Sequence, residues 1–545
     1  MARENLLSQF YIKIEGADAP GDLIKDLIEV TVEDSIHLPA MFTIRLNDAR
    51  LHWVDSQALA EGKEVEIAAV PREGGRASRL ITGEITAIEP DFGANGVPTL
   101  TVQGYDRSHR LHRGRHTRSF LQMTDSDIAI RIAQEEGLRA QVDATRQVHG
   151  YVFQNNQSNM EFLLDRAIRL GYELFVQDRT LYFRRPGEEE GPVLEWGKNL
   201  RCFHLRLTTA HQVSEVIVRG WDPQAKREII GRATAGRGAP RIGERRSGSQ
   251  IAAQAFRPGR RLLVVDRPVE TQTEADSLAQ ALFDEIASGF IKAEGTAFGD
   301  PRLRAGRLVT INAIGDRFSG RYYLTATTHT YRAEEYITTF HISGRRPYTL
   351  FHLLETEDRY YNGGVVVGIV TNNNDPEGLG RVKVKFPWLT EDEESAWARL
   401  ASPMAGQGRG FYFLPEVNDE VLLAFEHGDI HRPYVIGVLW NGRDKPPAAS
   451  NAVVNGNGQV VQRLIKSRAG HTIVLDDTTG GGGITIVDRA GNKMVIDSGS
   501  NAMKLQVKGN LEIEAQGKVT IKGQAGVEVT SSGNVNVRGA TINLN

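Results

Sequence analysis

The sequence predicts a mainly β, multidomain chain that ends in a repetitive β tail. Three observations carry that prediction. Helical grammar is confined to three segments, together roughly 40 residues, where an average globular protein is about one-third helix. Elsewhere apolar and polar residues alternate with the two-residue period of strands. The C-terminal part also changes composition: no Phe, Tyr or Trp follows Trp440 and no Pro follows Pro447, while the chain carries 56 Gly.

Bulk composition excludes several classes. The 545 residues hold 65 Lys+Arg against 68 Asp+Glu, with 40% apolar and 24% charged residues, so the chain is an ordinary folded one. Its net charge of −3 argues against a dedicated nucleic-acid binder. No stretch approaches the ~20 apolar residues that cross a bilayer. The start, Met-Ala-Arg-Glu-Asn-Leu-Leu, has no apolar block of the secretory kind, so synthesis in the cytoplasm without a signal peptide is expected. One cysteine, Cys202, excludes an internal disulfide and a Cys-rich zinc site, and reads as a small buried apolar residue.

Along the chain, alternation predicts strands at 10–14, 28–32, 42–46, 308–311 and 322–327. Thr124-Asp125-Ser126-Asp127 opens a helix closed by Gly137, and the Ser158…Glu161 capping box opens another that ends at Gly171. A third helix runs over 273–288, with Leu278, Leu282 and Ile286 four apart and Gly289 behind it. The Gly- and Arg-rich stretch 226–259 reads as a long loop. A boundary falls near 355–363. Beyond it, strands alternate with Gly/Asn/Asp/Pro turns over about 80 residues, the size of a small OB-fold barrel. Residues 446–470, polar and small, read as a linker.

The tail is periodic. Apolar-x-apolar triplets occur at Ile484/Ile486, Met494/Ile496, Leu505/Val507 and Leu511/Ile513, then at Val519/Ile521, Val527/Val529, Val535/Val537 and Ile542/Leu544, with glycines between them. Such short strands cannot enclose a core alone, and their open Val/Ile faces need a cover. Three chains meeting on a three-fold axis supply one, so 471–545 is expected to be one third of a triple-stranded β-helix. Val519, Ile521, Val527, Val529, Val535 and Val537 would line the axis. A solvent-washed series of hairpins is the bland alternative.

Searches for catalysis return little: no Gly-x-Ser-x-Gly elbow, phosphate loop or His-Glu-x-x-His helix is present. His427 and His431 flank a Gly-Asp turn and read as exposed turn histidines rather than metal ligands. Only His471 lies in the tail. Adjacent carboxylates such as Asp476 and Asp477 point to opposite faces of a strand, which suits no acid–base pair. No catalytic, cofactor or metal site is therefore read. The basic cluster Arg107, His109, Arg110, His112, Arg113, Arg115, His116 and Arg118 lacks interleaved aromatics, so an inter-subunit or lumen-facing role is favoured over phosphate contact. The acidic turn 391–394 reads as a solvated loop, with partner docking as the sharper alternative.

The order of these blocks resembles the valine-glycine repeat protein G (VgrG) family, the hub-and-spike proteins of phage-tail-like contractile injection systems. The most specific pieces are VQGYDRSHRLHRGRHTRSF at 102–120, NNQSNMEFLLDRAIRLGYELF at 155–175, GDPRLRAGRLVTINAIGDRFSGRYYLTATTHTY at 299–331 and FLPEVNDEVLLAFEHGDIHRPYVIGVLWNG at 413–442. The resemblance implies a first hub β-barrel over 1–120, a small α/β insertion over 121–195 and a second hub barrel over 196–358. An OB-fold over 360–445, the linker over 446–470 and the needle over 471–545 would follow. It further implies a homotrimer whose six like barrels match a six-fold inner-tube ring, contacts with baseplate proteins, and transient contact with a target membrane. A PAAR-type tip protein would dock on Thr541, Ile542, Asn543, Leu544 and Asn545. The chain stops after the last repeat, and 441–470 is too short for a lysozyme. A structural spike without its own toxin is therefore expected, built into a baseplate and possibly released with the particle. The alternative is a β-helical, tailspike-like enzyme or adhesin acting on surface polysaccharide. The lack of aromatics in the tail, which would stack on sugar rings, disfavours it.

Overall fold

The computed structural model describes residues 10–543 apart from 73, 94–95, 223–224, 226, 239, 258, 270, 345–363, 388 and 390–391. The boundary expected near 355–363 lies outside the described residues. The chain divides into two compact units, one ending at Leu439 and one beginning at Trp440. Among the described residues no helix is long and apolar enough to cross a membrane.

The first unit is organised by one eleven-stranded antiparallel sheet. Strands Phe10–Ile14, Glu64–Ala69, Ser78–Asp91, Thr99–Asp106, Met41–Asn47 and Leu27–Ser35 form its first half. The chain then leaves for about 90 residues and returns to add Ala326–Arg332, Glu335–Ile342, Ile291–Phe298 and Leu200–Leu207 to the free edge. The seam pairs Ser35 with Ala326 through to Glu29 with Arg332. The two regions expected as separate barrels therefore contribute strands to one sheet, which no local pattern in the sequence announces.

The two halves also repeat a packing device. Phe42 lies opposite Gly104 in the first half, and Phe340 lies opposite Gly295 in the second. Both phenylalanines are fully buried, and a Cβ on either glycine would fall within 2.4 Å of the facing ring. Each glycine is thus a seat for an aromatic ring across the ladder. Around these rings sit two cores, one with Ile44, Leu46 and Val102, the other with Ile291, Val309 and Tyr322.

The insertion follows its caps. Helices Asp125–Glu135 and Asn159–Leu170 begin with reciprocal capping boxes at Thr124 and Ser158, and the second ends at Gly171 with φ 68°. Their apolar faces, including Ile128, Ile132, Phe162 and Leu163, are buried against strands Glu173–Gln177 and Thr180–Arg184. The third expected helix is Gln272–Ser288, capped by Thr271. It covers the three-stranded sheet Glu215–Asp222, Arg227–Ala233 and Arg261–Val264, where Gly231 lets the Ala275 backbone approach.

Several sequence expectations change here. Residues 226–259 are not one long loop: they hold strands Arg227–Ala233 and Arg241–Ile242 and the helix Gly248–Ala255, opened by a Ser247–Gln250 capping box. The expected strand 322–327 is two, Gly320–Tyr323 and Ala326–Arg332, in different sheets. Cys202 is exposed, not buried, because the register slips between Leu200 and Cys202 at the start of its strand.

The OB block is a five-stranded sheet in the order Lys383–Lys385, Val366–Asn372, Glu420–Phe425, Pro433–Leu439, Arg399–Leu400. Val370, Val384, Val421, Leu423 and Val435 fill its core at 0% exposure. The second unit begins with the short helix Ser450–Val453 and then forms an antiparallel meander. Its strands are Gln462–Lys466, Thr472–Asp476, Gly483–Val487, Lys493–Asp497 and Ala502–Gln506. The ordered tail thus starts inside the stretch read as a linker. Residues 507–543 carry no ladder within the chain.

Candidate functional site

The tail leaves a regular series of large apolar side chains uncovered. In the meander, Ile465, Ile473, Ile486, Met494 and Leu505 fall in one cross-strand row, and Leu475, Ile484, Ile496 and Met503 in the next. Alternation puts both rows on one face, and most of these side chains are between 38% and 64% exposed. The turns that set the register are built from Asp and Gly. Asp476 accepts from the Thr478 N–H, Asp488 from the Asn492 N–H and side-chain amide, and Asp497 from the Gly499 and Ser500 N–H groups. Those bonds, led by the ones to Thr478, Asn492 and Ser500, hold the three carboxyls below the usual range. Gly483 is required where it stands: its φ is +147°, and a Cβ there would lie 1.9 Å from the Ile496 carbonyl oxygen.

The six residues expected on the axis, Val519, Ile521, Val527, Val529, Val535 and Val537, are all exposed, from 53% to 73%. No ladder within the chain brings them together. Thr541, Ile542 and Asn543 are likewise exposed and unladdered, and Leu544 and Asn545 lie outside the described residues. Asp476 and Asp477 engage different partners, Gln462 and Arg463 of the neighbouring strand.

In the first unit, the residues singled out by sequence mostly serve joints. The basic cluster opens as a 3-10 helix, Arg107–His112, around Glu84. Arg110 binds Glu84 through two bonds of 3.0 and 2.7 Å, and His109 adds a third at 3.0 Å. Burial raises the Glu84 carboxyl, but His109 and Arg110 outweigh it and leave it below its ordinary value. Arg118 reaches Glu135, Gln154 and Asn159. Much of the cluster is therefore neutralised within the chain, which leaves little of it for phosphate.

The acidic turn is not a solvated loop at Glu393, which accepts a hydrogen bond from Ser119, on the strand that pairs with the insertion's Val148–Gln157; Glu391 lies outside the described residues. Nor is His431 an exposed turn residue. Its Nδ1 lies 2.7 Å from Asp429, and its Nε2 accepts the Phe153 N–H at 2.9 Å, joining the OB block to the insertion. Phe153 itself, 1% exposed, is part of the OB core. Sequence reasoning missed the seam's buried ion pair altogether: Arg304 Nε lies 2.6 Å from Asp34, and its Nη1 donates to the Arg79 carbonyl. Among the described residues, no three metal-ligating side chains gather.

Comparison with known proteins matches these regions. Residues 366–440 match the family model of the type VI secretion system/phage-baseplate injector OB domain. Residues 4–333, more than half of the chain, match the Alg8 N-terminal domain. The type VI secretion system spike protein VgrG5 of Pseudomonas aeruginosa is 30% identical over 138 residues, 24% of this chain and 16% of that protein. VgrG4b of the same organism is 40% identical over 72 residues, 12% of this chain and 9% of that one. The chain thus spans less than a fifth of the length of these relatives. Among solved structures, a Francisella PdpA–VgrG complex aligns with TM-score 0.52 and 10% identity, over 91% of this chain and 80% of that one. An E. coli type VI secretion component described as similar to phage T4 tail proteins aligns with TM-score 0.50 and 15% identity, over 78% and 99%. At these identities the structures establish the fold. The chain belongs to the family of the Alg8 N-terminal domain, carries a match to the injector OB domain, and shares its fold with those two structures.

Proposed function

We propose that the protein is the central hub and spike of a contractile injection system baseplate, acting as a homotrimer. The observation that carries this reading is the uncovered apolar face of the second unit. Each exposed Val or Ile brought out of water contributes on the order of 1 kcal/mol or more, and the repeats supply many of them per chain. Three identical chains cover one another's faces symmetrically, with Val519, Ile521, Val527, Val529, Val535 and Val537 turned to the axis. The work of such a spike is mechanical: interchain ladders around a dry axis transmit thrust from a contracting sheath.

The hub's two like barrel regions per chain would present six similar surfaces per trimer to an inner-tube ring. Residues 541–545, which carry the last apolar triplet of the repeats, would seat a PAAR-type tip protein. The spike would be built into the particle from the cytoplasm and touch the target membrane only during puncture, without catalysis of its own and without nucleic acid. Light scattering on the purified chain tests the reading. A species near three times the 60.2 kDa chain mass, about 181 kDa, is expected. A folded 60.2 kDa monomer would overturn it.

A further inference from the structure

A cleft of about 610 Å³ opens between the insertion and the helical layer of the second hub region. Five arginines and three carboxylates line it, and no lysine or histidine does. The carboxylates are engaged. Asp125 is held by Arg166 at 2.5 Å and His149 at 3.0 Å, Glu188 pairs with Arg241, and Asp284 accepts the Arg237 N–H and the Gln280 amide. Arg321 pairs with Glu190 just outside. The guanidinium groups of Arg146, Arg185 and Arg237 are different: among the described residues, no ion pair or hydrogen bond to a carboxylate is formed by any of them. All three are exposed, and they converge on one cleft from separate segments.

We infer that this cleft docks an acidic peptide segment of a partner protein, with Arg146, Arg185 and Arg237 binding its carboxylates. Planar guanidinium groups suit that task, since each can take a carboxylate through two parallel bonds. Nucleic acid fits less well. Base binding needs open aromatic faces, yet Tyr172 packs edge-on against Phe183 at 5.4 Å and the Tyr323 hydroxyl is bound to Glu173. Glu188 and Asp284 would also repel a continuous run of phosphates, whereas a peptide can space its charges around them and lay apolar side chains on Leu170 and Leu308. This inference does not depend on the trimeric spike reading, because the cleft lies wholly within the first unit.

The test is fluorescence anisotropy of the full-length protein with a fluorescein-labelled oligoglutamate. Unlabelled oligoglutamate, inorganic phosphate and oligothymidylate serve as competitors. Saturable binding that only free oligoglutamate displaces is expected. Replacing Arg146, Arg185 and Arg237 together by Glu should weaken it at least about tenfold, and the Gln versions by less, as partly exposed ion pairs do. Arg113→Glu, in the basic cluster, should leave binding unchanged. The three side chains are exposed, so thermal melting should be preserved and a loss of binding can be assigned to charge. No binding, binding indifferent to the triple change, or displacement by phosphate or oligothymidylate as readily as by oligoglutamate would each overturn the inference.

Discussion

The two units of this chain are stabilised in different ways. Among the described residues, every buried side chain lies in the first unit, Val435 being the last, and none occurs from Trp440 onward. Yet the second unit has a regular five-stranded ladder. Backbone hydrogen bonds thus give the tail its local shape, while apolar burial, the dominant favourable term in folding, is left unfinished. The hub has completed its own cores inside one chain; the tail has the pattern of a core without the bulk. The difference teaches where copies of the chain should matter. Changes in the tail should be felt through assembly, changes in the hub through the stability of one chain.

The strongest way to break that contrast is a charge on the expected axis. Val535→Asp would bring three carboxylates together in a dry place, and burying an unpaired charge costs several kcal/mol even after relaxation. We expect the 181 kDa species to disappear or its tail to melt early, while the hub's own unfolding stays where it was. A Val535→Asp protein of unchanged mass and unchanged melting would remove this residue from the axis.

Next in size is the seam of the hub. Arg304 and Asp34, 5% and 7% exposed, join the returning part of the chain to the first half of the sheet. Arg304→Ala leaves Asp34 buried without its charge partner, a change that typically costs about 3–5 kcal/mol. Denaturant unfolding of the hub should register that loss, and mass by light scattering should not move. An equal loss in the tail's melting would show that the units are not independent in the way proposed.

What the sequence made legible follows the same division. Signals that are local came through: Thr124 and Ser158 cap the helices expected of them, the helix expected over 273–288 is Gln272–Ser288, and Phe10 to Ile14 is the strand its alternation predicts. The helix Gly248–Ala255 carries a local signal too, the Ser247–Gln250 box, but it was hidden by surrounding Gly and Arg. Contacts across long separations were not legible. Nothing near residue 35 names Ala326 as its neighbour, and nothing in Phe42 or Phe340 says that a glycine waits opposite. His431 looked like a turn residue because its partner, the Phe153 backbone, lies 278 positions away. The strands of the tail's meander were readable for the opposite reason: their alternation is local.

That long-range joint gives a sharper and smaller prediction. His431→Ala removes the acceptor for the N–H of buried Phe153, and an orphaned buried donor costs about 1–3 kcal/mol. Hydrogen exchange should quicken at Phe153 and in the strand Pro433–Leu439 while the two hub cores keep their protection. Unchanged exchange would mean that the OB block is held to the insertion by Ser119–Glu393 and apolar packing alone.

The smallest effect separates the tail's local shape from its assembly. Asp476, Asp488 and Asp497 are held below the ordinary carboxylate range by turn hydrogen bonds, foremost those to Thr478, Asn492 and Ser500. A carboxyl whose folded value is depressed stabilises the fold above the unfolded value, and that contribution fades as pH falls through the folded one. Acidification below about pH 4 should therefore loosen the turns of the meander first. The groups are close to fully exposed, so the loss is modest and screened by salt. Amide exchange at Asn492 and Ser500, followed from pH 6 downward, should accelerate beyond its intrinsic pH dependence, and Asp488→Asn should blunt the change at Asn492 alone. Because these bonds lie within one chain, the same response should appear in Val535→Asp, where assembly has been lost. If it vanished there, the turns would owe their shape to neighbouring chains, and the division between local ladder and shared core would have to be redrawn.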